Sequence, residues 1–299
     1  MSNISITYNT STESNVIKEF STFEELKSFI KNNRTSFIGA MKAVCDNNTI
    51  NCNGMFGNCT KITSLDLSEF NTSNVTDMNG MFYRCESLTS LDLSNFNTEN
   101  VTDMQQMFYY CQNLISLDLS SFNTSKVTDM SYMFGNCESL TSLNLSSFDT
   151  NKVTYMDGMF YYCRNLTTIY CEQDWGNKTV TYSSDMFTDC IKLKGAISYD
   201  LTKVDINYAN PDTGYFTYFL LGGPSRKFLV NLNMDQNEIK NMLLDKRNTT
   251  NSLNPVAGQI YYNITDKKTY LYNGTEWEEI FSYKEDFSLT EAQAYEPIS

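Results

Sequence analysis

The sequence of 299 residues contains no histidine. Histidine is the commonest general base and the commonest metal ligand, so its absence removes every Ser-His and Cys-His nucleophile pair. Acid pairs such as Glu172 and Asp174 occur, but no neighbouring residues mark them as a catalytic constellation. We therefore expect a protein that is not an enzyme.

Basic residues and long apolar runs are also scarce. The 22 Lys and Arg residues against 35 Asp and Glu residues give a net charge of −13, which repels phosphate backbones. No run approaches the roughly 18 apolar residues that span a membrane. The first twenty residues lack the basic and apolar regions of a secretory signal. We expect no nucleic-acid partner, no membrane insertion and no signal peptide.

What the sequence has instead is a repeated unit. SLDLSEFNTSNVTDMNGMFYRCESLT, residues 64–89, is followed without interruption by three close copies of the same length. The cysteine of each M-F-x-x-C segment keeps this period, and only the final step is one residue longer: Cys59, Cys85, Cys111, Cys137, Cys163 and Cys190. One such unit cannot close its own core, whereas stacked units share one. The repeat therefore predicts a solenoid of six rungs, a rung being one repeat.

The apolar pattern within a rung predicts two elements. Leu91, Asp92 and Leu93 alternate with period two, which is typical of a short strand with its leucines inward. On the opposite side of the rung, apolar residues spaced three and four apart predict a short helical turn: Val101, Met104, Met107, Phe108 and Cys111. The predicted class is an α/β repeat solenoid, leucine-rich-repeat-like, with a short strand plus a short helix per 26-residue rung.

The motif F-N-T-x-x-V-T-D-M-x-x-M-F-x-x-C, repeated over about residues 50–200, resembles the BspA-like leucine-rich repeats of bacterial surface proteins and mycoplasma lipoproteins. NPDTGYFT, residues 210–217, is similar to segments that close such arrays. Members of this family are mostly adhesive or binding surfaces, so the resemblance implies a binding role. Its exported members carry signal or lipobox sequences, which we do not find here.

The flanking sequences complete the predicted domain organisation. STFEELKSFIKNN, residues 21–33, predicts a helix with Ser21 or Thr22 as N-cap and Glu24 or Glu25 in a capping box. We expect this helix in an N-terminal cap over residues 1–50, before the solenoid at 51–197. A closing segment and linker, 198–224, ends at Gly-Gly-Pro, a turn-rich break. A further module occupies 225–299 from Ser225 onward.

This last module is predicted to be small and mainly β. Residues 227–247 predict a strand, a turn and a coil, and residues 259–263 and 268–272 predict two strands joined by a turn at 265–267. Asn273-Gly274 predicts a hairpin before Trp277. Residues 227–280 also resemble segments of bacteriophage tail-fibre and head-fibre proteins. That resemblance implies an oligomerisation or attachment module of a trimeric virion fibre.

Together the two resemblances predict a non-enzymatic bacteriophage virion structural protein, a head or tail fibre with a leucine-rich-repeat surface for host attachment. It would be synthesised in the bacterial host cytoplasm without a signal peptide and end on the virion surface. The expected partners are further copies of the chain, with a homotrimer favoured, other virion proteins, and a host-cell or extracellular glycan or protein. The alternative is a bacterial cell-surface adhesin of the BspA-like type.

Two sets of recurring side chains have more than one interpretation. The six cysteines are predicted to form a structural core ladder, with disulfides between adjacent rungs or metal binding as alternatives, although they lack the close pairs of zinc sites.

A series of outward side chains is predicted to stack at roughly 5 Å along the strands: Asp66, Asp92 and Asp118, followed by Asn144. They form either a solvated face or a site neutralised by calcium or a basic partner. A second series, VTDM, supplies turn acceptors: Asp77, Asp103 and Asp129.

Tyrosines occupy variable positions beside the fixed Met-Phe pair: Tyr83, Tyr109, Tyr110, Tyr132, Tyr155, Tyr161 and Tyr162. They either cover the helical side of the rungs or form a binding surface, since aromatic side chains suit both sugars and proteins. Apart from Tyr155, these tyrosines and the three outward aspartates are the predicted binding residues. We predict no catalytic residue, no metal ligand and no cofactor, with calcium on the aspartates as the alternative.

Overall fold

A computed structural model of the chain describes residues 4–46, 50–171, 173–176, 179–217, 226–234, 237–247, 260–263, 268–272 and 277–282. The chain divides into two compact units, Met1–Phe219 and Leu220–Ser299. The boundary predicted at Ser225 lies outside the described residues.

The first unit begins with a four-stranded sheet of order β2-β1-β3-β4. β1 (Ile4–Tyr8) pairs antiparallel with β2 (Val16–Phe20) and with β3 (Gly39–Val44), and β3 pairs parallel with β4 (Ile62–Asp66). The helix α1 (Phe23–Asn33) connects β2 to β3. Because β4 belongs to the first repeats, this sheet joins the N-terminal segment directly to the repeat array.

The helix α1 begins with the predicted capping box. The Thr22 Oγ1 accepts a hydrogen bond from the Glu25 N–H at 3.2 Å, and Glu25 Oε2 accepts one from the Ser21 N–H at 3.0 Å. On the buried face of the helix, Lys27 Nζ donates to the backbone oxygen and to Oδ1 of Asn51, both at 2.8 Å. The helix therefore covers the first rung and also satisfies its polar groups.

Successive rungs are joined by parallel backbone pairing. Short strands connect the later rungs: β5 (Ser142–Asn144) pairs with β6 (Thr168–Tyr170), which pairs with β7 (Phe216–Thr217). Elsewhere single parallel bridges link residues one repeat apart, in the order Asn51, Asp77, Asp103, Asp129, Tyr155 and Tyr182. Leu91 and Leu93 are buried with Asp92 exposed, as their alternation predicts, although the structure assigns no strand to them.

The segment around each Met-Phe pair is a series of turns, where the sequence predicts a short helix. The Met107 N–H bonds to the carbonyl three residues earlier in its own rung, at 3.2 Å, whereas the Phe108 N–H bonds to Met133 O of the next rung at 2.9 Å. Gln106 and Tyr110 have φ of 56° and 62°, which no right-handed helix accommodates. Pairing between rungs therefore replaces helical hydrogen bonding here.

These left-handed residues form two columns along the array, with φ between 55° and 63°. Such φ values favour Gly, Asn and Asp. The first column contains Gly54, Gly80, Gln106, Tyr132, Gly158 and Asp185, and the second contains Asn58, Arg84, Tyr110, Asn136, Tyr162 and Asp189. Three of the predicted binding tyrosines thus project from left-handed turns.

The core consists of columns of identical side chains. Phenylalanine rings from successive rungs stack with centroids 5.5 to 5.9 Å apart, in the order Phe56, Phe82, Phe108, Phe134, Phe160 and Phe187. Buried Tyr215 and Phe216 end the array, because their rings lie 5.0 Å from Phe187 and 4.8 Å from Trp175. The segment 210–217 therefore covers the last rung.

The second unit contains a five-stranded sheet of order β12-β11-β10-β9-β8. Its strands are β8 (Arg226–Met234), β9 (Asn237–Arg247), β10 (Ile260–Asn263), β11 (Lys268–Tyr272) and β12 (Trp277–Ser282). β9 and β10 are parallel and the other neighbours antiparallel. The strands predicted at 259–263 and 268–272 are confirmed, and the coil predicted after the first strand is wrong, since β9 pairs there. The turns predicted at 265–267 and at Asn273-Gly274 lie outside the described residues.

Candidate functional site

Six tyrosines from four consecutive rungs form one continuous aromatic cluster, which we call the tyrosine face. Tyr109 is its centre, with ring centroids 5.9 Å from Tyr83, 4.6 Å from Tyr110 and 5.4 Å from Tyr132. Beyond Tyr132, the cluster continues to Tyr161 at 6.2 Å, and Tyr161 contacts Tyr162 at 4.4 Å. All six side chains are partly exposed. The structure thus brings together all six tyrosines predicted as binding residues.

Two glycines in the neighbouring rungs make room for these rings. A Cβ at Gly135 would lie 2.8 Å from Cδ2 and Cε2 of Tyr109. A Cβ at Gly158 would lie 2.9 Å from Cζ of Tyr132 and nearer to two other ring carbons. Each glycine follows its tyrosine by one full repeat, so aligning the repeats could have identified both pairs. Both rings are therefore seated on the backbone of the following rung.

An arginine with an acidic partner stands at each end of the tyrosine face. The Arg84 guanidinium lies 5.8 Å from the Tyr110 ring centroid, and its Nε is 3.0 Å from Glu86 Oε1. The Arg164 guanidinium lies 4.5 Å from the Tyr162 ring centroid, and its Nη2 is 2.8 Å from Asp189 Oδ2. Both cations therefore contribute to the aromatic surface while their charge is already balanced.

Three phenols of the tyrosine face keep their protons to a higher pH than an ordinary tyrosine does. Partial burial raises the pKa of Tyr109 to about 12 and also raises the pKa of Tyr132 and Tyr161. The carboxylate of Asp157 raises the pKa of Tyr132 further. Each of these three phenols can consequently donate and accept a hydrogen bond at the surface.

A buried amide belongs to one of the rungs of this face, and nothing in the sequence pattern marked it. Asn136 is 6% exposed, and its Nδ2 has no hydrogen-bond partner among the described residues. Its position in the second left-handed column places it one rung after Tyr110 and one rung before Tyr162. The backbone N–H of Asn136 donates to Tyr161 O at 2.6 Å. An unpaired donor therefore belongs to one of the four rungs that carry the tyrosine face.

The outward aspartates are exposed, and each forms a local turn. Oδ1 of Asp66, Asp92 and Asp118 accepts a hydrogen bond from the serine N–H two residues later, at 2.9 to 3.0 Å. These serine hydrogen bonds lower the pKa of all three carboxyls. In the described part of the chain, no group of three or more acidic, cysteine or histidine side chains is arranged to hold a metal ion. Of these three aspartates, only Asp66 has an ion-pair partner in the described structure, Lys42, whose Nζ is 3.5 Å from Asp66 Oδ2.

The second aspartate series accepts turn hydrogen bonds, as predicted. Oδ1 of Asp77, Asp103 and Asp129 accepts from the backbone N–H two residues later, at 2.8 to 2.9 Å. At the end of the same column, Tyr155 and Tyr182 stack in parallel with ring centroids 4.9 Å apart. Tyr182 follows the one step that is longer than the others, so the strict period of the repeat did not locate it.

The cysteines pack in the core. All nine are buried thiols. Five of the thiols donate to a phenylalanine carbonyl of the preceding rung at 3.0 to 3.3 Å: Cys85, Cys111, Cys137, Cys163 and Cys190. Burial raises the pKa of Cys59, Cys111 and Cys163 to about 12. The cysteine ladder is therefore a structural feature in the reduced state, and the disulfide alternative is not found.

Residues 2–91 and 89–200 each match the family described as Mycoplasma protein of unknown function, DUF285, and the chain belongs to this family. The matches cover the N-terminal segment and the repeats, including the whole tyrosine face. They do not reach residues 227–280, for which the sequence analysis expects a fibre module. No curated protein and no solved structure matches the chain. Among the described helices, none combines the length and the apolar character needed to cross a membrane.

Proposed function

We propose that this chain is a non-enzymatic binding protein, in which residues 51–197 form a leucine-rich-repeat-like solenoid that presents the tyrosine face to a partner. The observation that carries this proposal is the clustering of six partly exposed tyrosines across four rungs. Tyrosine and arginine are the residues most enriched in binding surfaces, because they combine large contact area with hydrogen-bonding capacity.

The repeat scaffold supports such a role by ordering the surface before binding. A tyrosine side chain loses little conformational entropy on binding, since only two torsions are fixed. Tyr109 and Tyr132 are further restricted by the backbone at Gly135 and Gly158. A surface ordered in advance keeps more of its contact energy as affinity.

Membership of the DUF285 family supports a repeat-containing surface protein, close to the BspA-like adhesin that the sequence offers as an alternative. The second candidate is the virion fibre, which rests on the resemblance of residues 227–280 to phage fibres. In that case the C-terminal module would assemble a homotrimer and attach it to other virion proteins. Three faces on one particle would then bind a repetitive glycan or protein coat with avidity.

Mass spectrometry distinguishes the bacterial surface protein from the virion fibre. Peptides of this chain would be quantified in gradient-purified phage particles and in the envelope fraction of the encoding bacterium. Peptides confined to envelopes would support the surface protein, whereas stoichiometric peptides in particles would establish the virion fibre.

A binding assay tests the tyrosine face in either setting. The full-length protein would be applied to immobilised bacterial envelopes and extracellular-matrix preparations, beside variants carrying Tyr109→Ser with Tyr132→Ser, or Tyr155→Ser as control. Tyr155 is a tyrosine outside the face and, at 43%, is more exposed than those of the face. We expect at least tenfold weaker binding of the double variant alone. Equal binding by all three proteins would contradict the proposal.

A further inference from the structure

We propose that the tyrosine face binds a neutral oligosaccharide and that the side-chain amide of Asn136 donates a hydrogen bond to an oxygen of that ligand. This inference rests on the proposed function and specifies the ligand of the same site.

The first step concerns the unpaired amide. A buried donor without an acceptor is costly, and native proteins contain few of them. Asn136 Nδ2 is such a donor, and the register places it between Tyr110 and Tyr162. An acceptor atom supplied by a ligand would satisfy it, so the amide gains most from binding among the polar groups of the face.

The second step concerns access to that amide. Tyr110 and Tyr162 are partly exposed, and both stand on turns at the surface. Because the register places Tyr110 and Tyr162 in the rungs on either side of Asn136, we infer that a change of either ring's rotamer exposes the amide. The two tyrosines then contact the ligand that enters.

The size of the face favours a small ligand over a folded protein. A fully buried aromatic side chain covers about 150–250 Å². Six tyrosines that are already partly buried therefore expose no more than a few hundred Å² in total, whereas a stable protein interface needs about 800 Å² on each side. A short oligosaccharide can fill a strip of this size, with C–H groups on the rings and hydroxyls on the phenols.

The charges of the face favour a neutral sugar. Arg84 is paired with Glu86 and Arg164 with Asp189, so each guanidinium already has a carboxylate beside it that repels an anionic group of a ligand. The chain carries a net charge of −13, which repels anionic glycans at long range. The phenols of Tyr109, Tyr132 and Tyr161, whose pKa values are raised, can donate to and accept from the hydroxyl groups of a sugar.

The test uses an array of neutral, sialylated and sulfated oligosaccharides probed with the full-length protein. Asn136→Asp keeps the shape and tolerates the left-handed backbone, but it replaces the donor by an acceptor. Asn58→Asp is the matched control, because Asn58 occupies the same column three rungs earlier with φ of 63°. Thermal melting establishes that each variant is folded. We expect binding to neutral oligosaccharides that Asn136→Asp weakens about tenfold, with Asn58→Asp unchanged.

Several results would overturn the inference. Preference for sialylated or sulfated glycans would refute the neutral ligand, and equal binding by Asn136→Asp and the unmodified protein would refute the role of the amide. The protein could bind envelopes or matrix, lose that binding in the tyrosine double variant, and yet bind no oligosaccharide of the array. In that case this inference is wrong and the proposed function stands. If the tyrosine variants also bind envelopes and matrix normally, the proposed function itself is wrong.

Discussion

The ring of Tyr132 occupies the space in which a Cβ of Gly158 would lie, with Cζ 2.9 Å from that position. The two residues are one repeat apart, so the absence of a side chain at Gly158 allows the ring to be seated on the next rung. Gly158→Ala should displace the ring and destabilise the protein. The midpoint of urea unfolding, followed by circular dichroism, measures the loss.

Gly80→Ala provides the matched control. Gly80 has the same φ of 57° and lies in the same column, but a Cβ there would meet only the Tyr83 Cβ, at an ordinary 3.5 Å. The left-handed conformation alone costs about 1–2 kcal/mol for alanine. We expect Gly158→Ala to cost about 1–2 kcal/mol more than this control, because the ring must move. The excess should vanish in a Tyr132→Ala background, and an excess that persists would contradict this account.

A second prediction concerns a buried threonine that joins two rungs. The Thr98 hydroxyl donates to Asn123 O at 3.0 Å and accepts from the Asn123 N–H at 2.8 Å. Thr98→Val keeps the shape but leaves both backbone groups of Asn123 unpaired, so it should lower the free energy of unfolding by about 1–3 kcal/mol. Thr102→Val, an exposed position in the same rung, should change it by less than about 0.5 kcal/mol. Similar urea midpoints for the two variants would disprove the role of the buried hydroxyl.

A third prediction concerns calcium and the outward aspartates. Ser120 hydrogen bonds lower the pKa of Asp118, so the charged carboxylate is already stabilised without a cation. We expect millimolar calcium to leave the melting temperature unchanged. A calcium-dependent rise that disappears in the Asp92→Asn, Asp118→Asn double variant would instead establish a cation site on this ladder.

The same carboxyl gives a dependence on acid pH. Because the folded pKa of Asp118 lies below its ordinary value of 3.8, its contribution to stability is present above pH 3.8 and is lost as the pH falls through the folded pKa. Asp118→Asn should retain the turn, since Asn144 Oδ1 accepts the Ser146 N–H at 3.1 Å in the equivalent position. The variant should therefore lose less stability on acidification than the unmodified protein, as thermal melting from pH 6 to pH 2 would measure.

The sequence alone predicts which side chains of a rung point inward and which point outward. It does not decide whether the segment around each Met-Phe pair is a short helix or a series of turns. Spacings of three and four between Met104, Met107 and Cys111 fit a helix, but they also fit successive turns that point side chains inward. Left-handed residues at Gln106 and Tyr110 and the hydrogen bonds between rungs decide in favour of turns. These interactions join residues of neighbouring rungs, and a local pattern contains no information about them.

The candidate site could be predicted only in part, because it too depends on contacts between neighbouring rungs. The variable tyrosines were identified as surface residues, yet their mutual contacts depend on which residues stack one repeat apart. The pairing of Tyr109 with Gly135 follows from the period alone. The unpaired amide of Asn136 does not, because its burial depends on the packing of all its neighbours.

The last prediction concerns the cysteine column at alkaline pH. Burial raises the pKa of Cys111 from its ordinary value of 9.0 to about 12, and Cys59 and Cys163 behave in the same way. A folded pKa above the unfolded one contributes stability that is complete below pH 9 and is lost as the pH rises towards 12. The urea midpoint should therefore fall across this range, and iodoacetamide at pH 8 should label the thiols only after unfolding.

Cys111→Ala separates this effect from the titration of lysines and tyrosines. The variant is less stable at pH 7, since it loses the Sγ–H hydrogen bond to Phe82 O at 3.1 Å and some packing. Its urea midpoint should nevertheless fall less steeply between pH 9 and pH 12, because one fewer thiol resists ionisation in the folded state. Parallel pH profiles for the two proteins would show that the Cys111 thiol ionises as readily in the folded chain as in the unfolded one, and that the column is open to solvent.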